Sequence, residues 1–573
     1  MRKKLWLLLV LAVISGGVYA IHLWHKQSAE NENATLVQDK ASAQSKTAKD
    51  TAFSDKIDMS QWLYNEEHGV YYQLQIPYCA APADEKYEKL AVFVPQAFFN
   101  CTKNDAKTYS CVPNGAAKIA DYTIHTAPWV MSLESTEYSS VLPLSEYRDV
   151  SKFMQAGFVY VHAGYRGIEH GAPADIADLK AAIRFIRRNK SNIPANTDLL
   201  YVFGVDSGGG QGAVLGASGD SSLYKPYLQA IGAIEGESDE VHGVMAWSPL
   251  TGFESANEAY EWSMGYTRKG LTQNQHELSN HIARAYVDYV NNAGFRDKDN
   301  NPLILQYSER GIYQNGSYYD YVKSTIEKSL SEFLRDTKFP FTPPREQYYF
   351  GQFSDEKKEI KSEINPQGTF LTRRQYLKAL NLKRKWVEYD FFENKATIRS
   401  VADFIYSFKP TTKNIGAFDG FNRQQTENKL FAVTPSGGVH YDELTMNVLK
   451  NHPKAQEFRD DLLIQDKYGI TVKQRRDMYS PLYYLLPSSS GFRSSKVAKF
   501  WRIRSGINQA ETALTTEINL YLAAVRYPEV KHADLKAVWG AGHIRAEEKF
   551  NNPDDAFIRW INSSIGYDIW HRM

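Results

Sequence analysis

The stretch GVDSGGG, Gly204 to Gly210, puts a carboxylate and a hydroxyl, Asp206 and Ser207, into one glycine-rich turn. It follows the apolar run LLYVF and precedes the small-residue run QGAVLGASG. A strand that feeds a helix through such a turn can hold a nucleophile on a strained backbone. The flanking residues must be small because neighbouring segments pass close by. The spacing G-x-nucleophile-x-G centres on Asp206. Centring on Ser207 puts the β-branched Val205 where glycine is usual. A one-residue step at a helix start also turns a side chain by about 100°, so the two residues do not point alike. Spacing favours Asp206 as the elbow residue and leaves Ser207 as the second candidate. The plain structural alternative is a glycine turn with an N-capping Asp.

A nucleophile on this architecture needs an acid and then a base, each on a loop at the carboxyl end of a strand. His543 follows the apolar run of LKAVWGAGH, between Gly542 and Ile544, and stands where the base belongs. The loop after Arg504 stands where the acid belongs. Its sequence, RSGINQAETAL, has no Asp, so Gln509 or Glu511 must serve. Gln can orient an imidazole but cannot stabilise imidazolium as a carboxylate does. The nucleophile also limits the reaction. Attack by Asp206 on an ester carbonyl gives an anhydride, a poor route, whereas attack on sp³ carbon gives an ester that water can open. Asp206 therefore argues against simple esterase chemistry unless Ser207 takes over. No Cys/His spacing suggests zinc, and no cofactor is implied.

The elements that must position these groups follow from periodicity. VYYQLQI (70–76), KLAVFVP (89–95), APWVMSL and GFVYVHAG (157–164) are β-rich runs. In DIADLKAAIRFIRRN, Ile176, Leu179, Ile183 and Ile186 recur at helical spacing with charges opposite. LLYVF (199–203) is continuously apolar, as expected of a strand covered on both faces. HGVMAWSPL (242–250) and KFWRIRSG (499–506) read as further strands, ETALTTEINLYLAAV (511–525) as a helix, and LKAVWGAGH (535–543) as a strand ending at His543. Strands alternating with helices predict an α/β layer architecture with a mostly parallel sheet. The pattern breaks over 255–480, which is charged and Tyr-rich and reads as an inserted lid at the edge where ligands bind. The layout is 1–25 signal peptide or membrane anchor, 26–57 polar linker, 58–254 first part of the core, 255–480 lid, and 481–573 second part of the core.

The 67 basic and 66 acidic residues leave a net charge of +1, which gives no global attraction to nucleic acid or an anionic membrane. MRKK, the apolar stretch from Leu5 to about Ile14, and Val18-Tyr19-Ala20 resemble an export signal with a cleavage site. Ile21, Leu23 and Trp24 extend the run toward an uncleaved anchor. Either way the body is expected outside the cytoplasm, with membrane contact only through that anchor. An oxidising compartment permits a disulfide; the short Cys101–Cys111 loop is the favoured pair, leaving Cys79 free and buried.

RGIEHGAPADIADLKAAIRFIRRN, GVDSGGGQGAVLGASGDSSLYKPYLQAIGA, WSPLTGFESANEAYEW, FDGFNRQQTENKLF, KFWRIRSG and WGAGH resemble the bacterial subtype-B tannases and their feruloyl-esterase-like relatives, from about residue 60 to 565. The resemblance implies an α/β-hydrolase fold with a large lid. It implies hydrolysis of aromatic carboxylic esters, such as galloyl esters, and a small aromatic ester or phenolic ligand as partner. Laid over the family without gaps, the Ser nucleophile falls on Asp206, the base on His543 and the triad Asp on Gln509. The contacts to ring hydroxyls fall on Lys413, Glu427 and Glu511. A Lys with two carboxylates suits phenols, since the carboxylates accept and Lys donates. LESTEYSS (133–140) departs from the family's Asn-Thr-Pro-Gly-Tyr-like run on the oxyanion side. With two triad positions changed, three readings stand: an exported aromatic-ester hydrolase, a catalytically impaired relative that binds phenolic ligands or a partner, and an Asp-nucleophile hydrolase of non-ester substrates.

Overall fold

Nine strands form one sheet in the computed structural model, which describes residues 53–104, 107–306, 315–344, 346–348, 357–359, 366–409, 411–434, 437–450 and 452–570. The proposed signal or anchor and most of the polar linker lie outside the described residues. In chain order the strands are β1 (Leu63–Asn65), β2 (Val70–Pro77), β3 (Lys89–Pro95), β4 (Trp129–Leu133), β5 (Val159–Ala163), β6 (Leu200–Val205), β7 (Gly243–Trp247), β8 (Phe500–Gly506) and β9 (His532–Val538). Their spatial order is β1-β2-β3-β5-β4-β6-β7-β8-β9. The ladders from β5 to β9 are parallel, and those joining β1, β2, β3 and β5 are antiparallel. This is the mostly parallel α/β sheet that the alternating pattern predicts.

β6 shows why its sequence is continuously apolar. Successive side chains of a strand face opposite ways. Val202 lies toward Gly212 of helix α2 (Ser207–Ala217), while Tyr201 and Phe203 meet Trp560 and Phe557 of the C-terminal helix Pro553–Trp570. Both faces are packed, and every position of the strand is buried.

Helix α1 (Ala174–Arg188) buries Ile176, Leu179, Ile183 and Ile186 completely, as its spacing predicts. Its charged side is not simply solvated. Asp178 is buried against the Arg166 guanidinium at 2.6 and 2.9 Å, and Lys180 is buried against Asp239 at 2.7 Å. Paired charges can be buried where single ones cannot, so this helix is covered on more than its apolar face.

Between β7 and β8, over 248–499, no described residue adds a strand to the sheet. Helices dominate this insertion. They include α3 (Ala256–Met264), α4 (Gln273–Ala293), α5 (Ser317–Asp336), α6 (Val401–Phe408) and the short α7 (Thr426–Leu430). Helix α8 (Leu514–Arg526) then links β8 to β9. β9 stops at Val538, short of the predicted end at His543. Gly540, at φ 80°, lies in the turn that carries the chain on to His543. Cys101 and Cys111 sit opposite each other on a two-stranded ribbon and are joined as expected, and Cys79 is free and buried.

Candidate active site

The turn between β6 and α2 is a strained elbow. Asp206 has φ 58° and ψ −127°, a conformation that L-residues adopt at a cost of about 1–3 kcal/mol. Close packing fixes the glycines around it. A Cβ on Gly204 would lie 2.5 Å from the Gly208 carbonyl carbon, and one on Gly208 would lie 2.2 Å from the Leu133 oxygen. The Asp206 backbone is held from both sides. Its N–H donates to the Trp247 oxygen at 3.1 Å, and its oxygen accepts from Gly210 and Leu250.

The two carboxylate oxygens of Asp206 have different partners. Oδ1 lies 2.9 Å from Nε2 of His543, and Oδ2 accepts from the backbone N–H of Glu137 at 3.2 Å. The side chains of His543 and Asp206 are each only about a tenth exposed, at 14% and 11%. Glu137 and Tyr138 both have positive φ, 51° and 60°, so the loop after β4 is bent to aim this N–H at the elbow. A backbone donor after this strand is the usual oxyanion contact of such a turn.

Ser207 is not the residue that tops the elbow. Its hydroxyl is fully buried, donates to the Ser135 oxygen at 2.9 Å and accepts from the Tyr138 N–H at 3.1 Å. The one-residue step turns it under the loop rather than toward the imidazole, which corrects its candidacy as nucleophile. It braces the loop that presents Glu137.

The acid candidates are also placed elsewhere. Gln509 is buried, donates to Thr512 Oγ1 at 2.6 Å and to Glu517 Oε1 at 3.3 Å, and accepts from the Thr512 N–H. Glu511 is half-exposed and lies 3.7 Å from the Lys413 ammonium. Gln509 is thus engaged by Thr512 and Glu517, and Glu511 by Lys413. The buried carboxylate that gathers this loop's hydroxyls is Glu517, in the first turn of α8, which the sequence reading missed. It is fully buried and accepts from the hydroxyls of Ser505, Thr512 and Thr516. Lys409, just after α6, is buried nearby. Burial pushes its ammonium down to about 8, while the charges of Glu517 and Glu511 pull the other way.

The residues matched to ring recognition do come together. Burial raises the Glu427 carboxyl to about 7; Lys413 opposes the rise, while Asp206 and Glu511 add to it. The Lys413 ammonium sits 4.2 Å over the Phe418 ring. Tyr138, a second residue missed from sequence, is buried with its hydroxyl lacking a hydrogen-bond partner among the described residues. Burial holds that phenol well above its ordinary range, and the charges of Glu427, Asp206 and Asp175 push it further. A buried donor among carboxylates is a polar group that a bound ligand can satisfy. Phe253 packs against Tyr138 in a tilted contact and Tyr479 edge-on, and Phe431 and Tyr441 extend the cluster edge-on to Phe253.

A cavity of 490 Å³ lies away from this constellation, lined by Arg502, Arg504, Asp534, Lys536 and Glu548. Its charges pair with one another. Among the described residues no group of three or more His, Cys, Asp or Glu side chains is placed to hold a metal, and no helix is long and apolar enough to cross a membrane.

The BD-FAE family model matches residues 124–310, the span that contains the elbow. No curated protein matches the chain. Among solved structures, the native tannin acyl hydrolase of Lactobacillus plantarum superposes with a TM-score of 0.64 at 22% identity, over 86% of this chain and 94% of that one. The tannase of Fusobacterium nucleatum superposes with a TM-score of 0.66 at 22% identity, over 89% and 99%. A tannin acyl hydrolase in complex with ethyl gallate gives 0.60 at 22%, over 86% and 94%. At that identity the likeness is one of fold. With the family model, it bears out the resemblance to the tannase and feruloyl-esterase-like group and the α/β-hydrolase architecture.

Proposed function

We propose that this protein is an extracytoplasmic hydrolase of aromatic carboxylic esters, of galloyl or hydroxycinnamoyl type. The observation that carries the reading is the elbow itself: a strained Asp206 hydrogen-bonded at 2.9 Å to His543, with Lys413, Glu427 and Glu511 close enough to shape one another's charge. Lys413 and the carboxylates would hold ring hydroxyls, and Tyr138 would offer a further donor. The likeness to proteins named as tannases, one of them solved with ethyl gallate, supports the choice of ligand.

A second reading has its own observation. The Glu137 N–H, the contact an ester oxyanion would need, is taken by Asp206 Oδ2, and Gln509 gives His543 no charge support. In serine hydrolases, loss of the triad carboxylate alone lowers kcat about 10⁴-fold. The protein would then bind phenolic ligands with little turnover.

Purified protein assayed on methyl gallate, methyl ferulate and phenyl gallate, beside His543→Ala, tests the choice. Turnover that disappears in His543→Ala supports the hydrolase. Binding of gallate with no turnover supports the second reading, and absence of both ends the phenolic assignment. Fractionation of expressing cells tests the proposed location.

A further inference from the structure

We infer that Asp206 is a covalent acyl acceptor serving esters of phenols rather than of alcohols, and that water reopens its intermediate at the Asp206 carboxyl carbon. This rests on the aromatic-ester reading above and names the leaving group and the path of the atoms.

The argument starts from the two oxygens of Asp206. Oδ1 is the oxygen beside the acid–base group, His543 Nε2, at 2.9 Å. Oδ2 is the oxygen held by a backbone donor, the Glu137 N–H, at 3.2 Å. In a serine hydrolase the backbone donor faces the substrate's carbonyl oxygen. Here it faces an oxygen of the enzyme, so the carbon it polarises is Cγ of Asp206.

The steps balance as follows. Oδ1 attacks the ester carbonyl, forming an O–C bond. The C–O bond to the phenol breaks, and the departing phenolate takes the Nε2 proton of doubly protonated His543. The product is a mixed anhydride of Asp206 with the aromatic acid. Neutral His543 then takes a proton from water as its oxygen attacks Cγ, with the charge on Oδ2 received by the Glu137 N–H. The Cγ–Oδ1 bond breaks, the aromatic carboxylate leaves with that oxygen, and Asp206 loses its remaining proton to solvent. The sum is one ester and one water to one phenol, one carboxylate and one proton.

The leaving group decides whether the first step can proceed. After attack, the tetrahedral species expels its weaker base. A carboxylate has a conjugate-acid pKa of about 4 and a phenolate about 10, whereas an alkoxide resembles hydroxide, whose conjugate acid, bulk water, is near 15.7. An alkoxide almost always loses the competition to Asp206. A phenolate loses by far less and is helped by the His543 proton.

The test is a single turnover in ¹⁸O-water, with enzyme in excess over phenyl gallate, quenched and analysed by mass spectrometry. The expected result is one heavy oxygen on the peptide spanning Gly204–Gly210, at Asp206, with the released gallate unlabelled. Phenyl gallate should turn over at least about 100-fold faster than methyl gallate, a ratio that two units of leaving-group basicity already carry. Asp206→Asn, which keeps the shape of the elbow, should lose both the label and the turnover. Label in gallate with none on Asp206 overturns the inference while leaving the hydrolase reading intact, and so does equal turnover of the methyl and phenyl esters. Gallate binding without turnover of either ester overturns the inference in favour of the binding reading. Absence of both binding and turnover removes the aromatic-ester reading together with it.

Discussion

Replacing Gln509 by Glu tests how the acid position has been rebuilt. The substitution keeps the side chain's length and shape but exchanges a donor for an acceptor opposite Glu517 Oε1, now 3.3 Å away. Glu517 is fully buried and its contacts are hydroxyl and amide donors, so it is placed as an acceptor. Two carboxylates at that separation repel by about 5 kcal/mol at an effective dielectric of 20. That corresponds to nearly four pKa units, so a carboxyl that ionises near 4.3 unfolded stays protonated to about pH 8 in the fold. The sign follows from proton binding. The folded variant holds a proton that the unfolded chain has already released, so stability falls as pH rises from about 4 to about 8 and is flat below and above that window. Near pH 4 the protonated carboxyl donates to Glu517 as the amide did, and the variant should match the parent. By pH 8 it should have lost up to about 5 kcal/mol, a loss comparable to the whole stability of many domains. The buried Lys409 ammonium offsets part of this, which makes the figure a ceiling. Urea midpoints of variant and parent between pH 4.5 and 8.5 measure it. A difference that does not change with pH would refute the argument. The same logic applies to reconstruction of a serine triad. Asp206→Ser with Gln509→Asp should gain little esterase activity, because the new Asp shares its proton with Glu517, and adding Glu517→Gln should raise it. Full recovery in the double variant would contradict the placement of Glu517.

Affinity for 3,4-dihydroxybenzoate should weaken as pH falls below about 7, since a phenol donates more strongly to Glu427 when that carboxyl is ionised. Titration calorimetry should show the inflection move down in Asp206→Asn and vanish in Glu427→Gln. Gly506→Ala should remove turnover and lower the melting temperature, because its Cβ would lie 1.9 Å from the Gly542 oxygen, beside His543. Gly566→Ala, whose Cβ meets nothing within 4 Å, should be neutral or slightly stabilising in the same melt. Opening the Cys101–Cys111 link as a double Ala variant should cost about 2–3 kcal/mol by the entropy of so short a loop, measurable as a urea-midpoint difference that reductant abolishes.

The elbow was legible because its constraint is local. Gly204 and Gly208 are small for steric reasons that act within five residues, so their spacing alone distinguishes Asp206 from Ser207. The acid position was not legible because its constraint is distant. Glu517 reads as an ordinary charge near the start of a helix, and only β8 packing behind it leaves the carboxylate fully buried. A signal was available in the hydroxyls of Thr512 and Thr516 that flank it, which is the company a buried carboxylate needs. Tyr138 was missed for a similar reason: LESTEYSS looks like an exposed polar loop until two consecutive positive φ angles turn its backbone inward. That turn gives Asp206 a contact that a serine in its place would lack. A hydroxyl offers one oxygen to the imidazole and leaves the loop donor for a substrate. A carboxylate offers two, and the second reaches Glu137. On the mechanism proposed above, one residue therefore sets both the attacking group and the target of the loop donor. Asp206→Ser alone should free the Glu137 N–H, while Glu517 keeps its bonds to the hydroxyls of Ser505, Thr512 and Thr516.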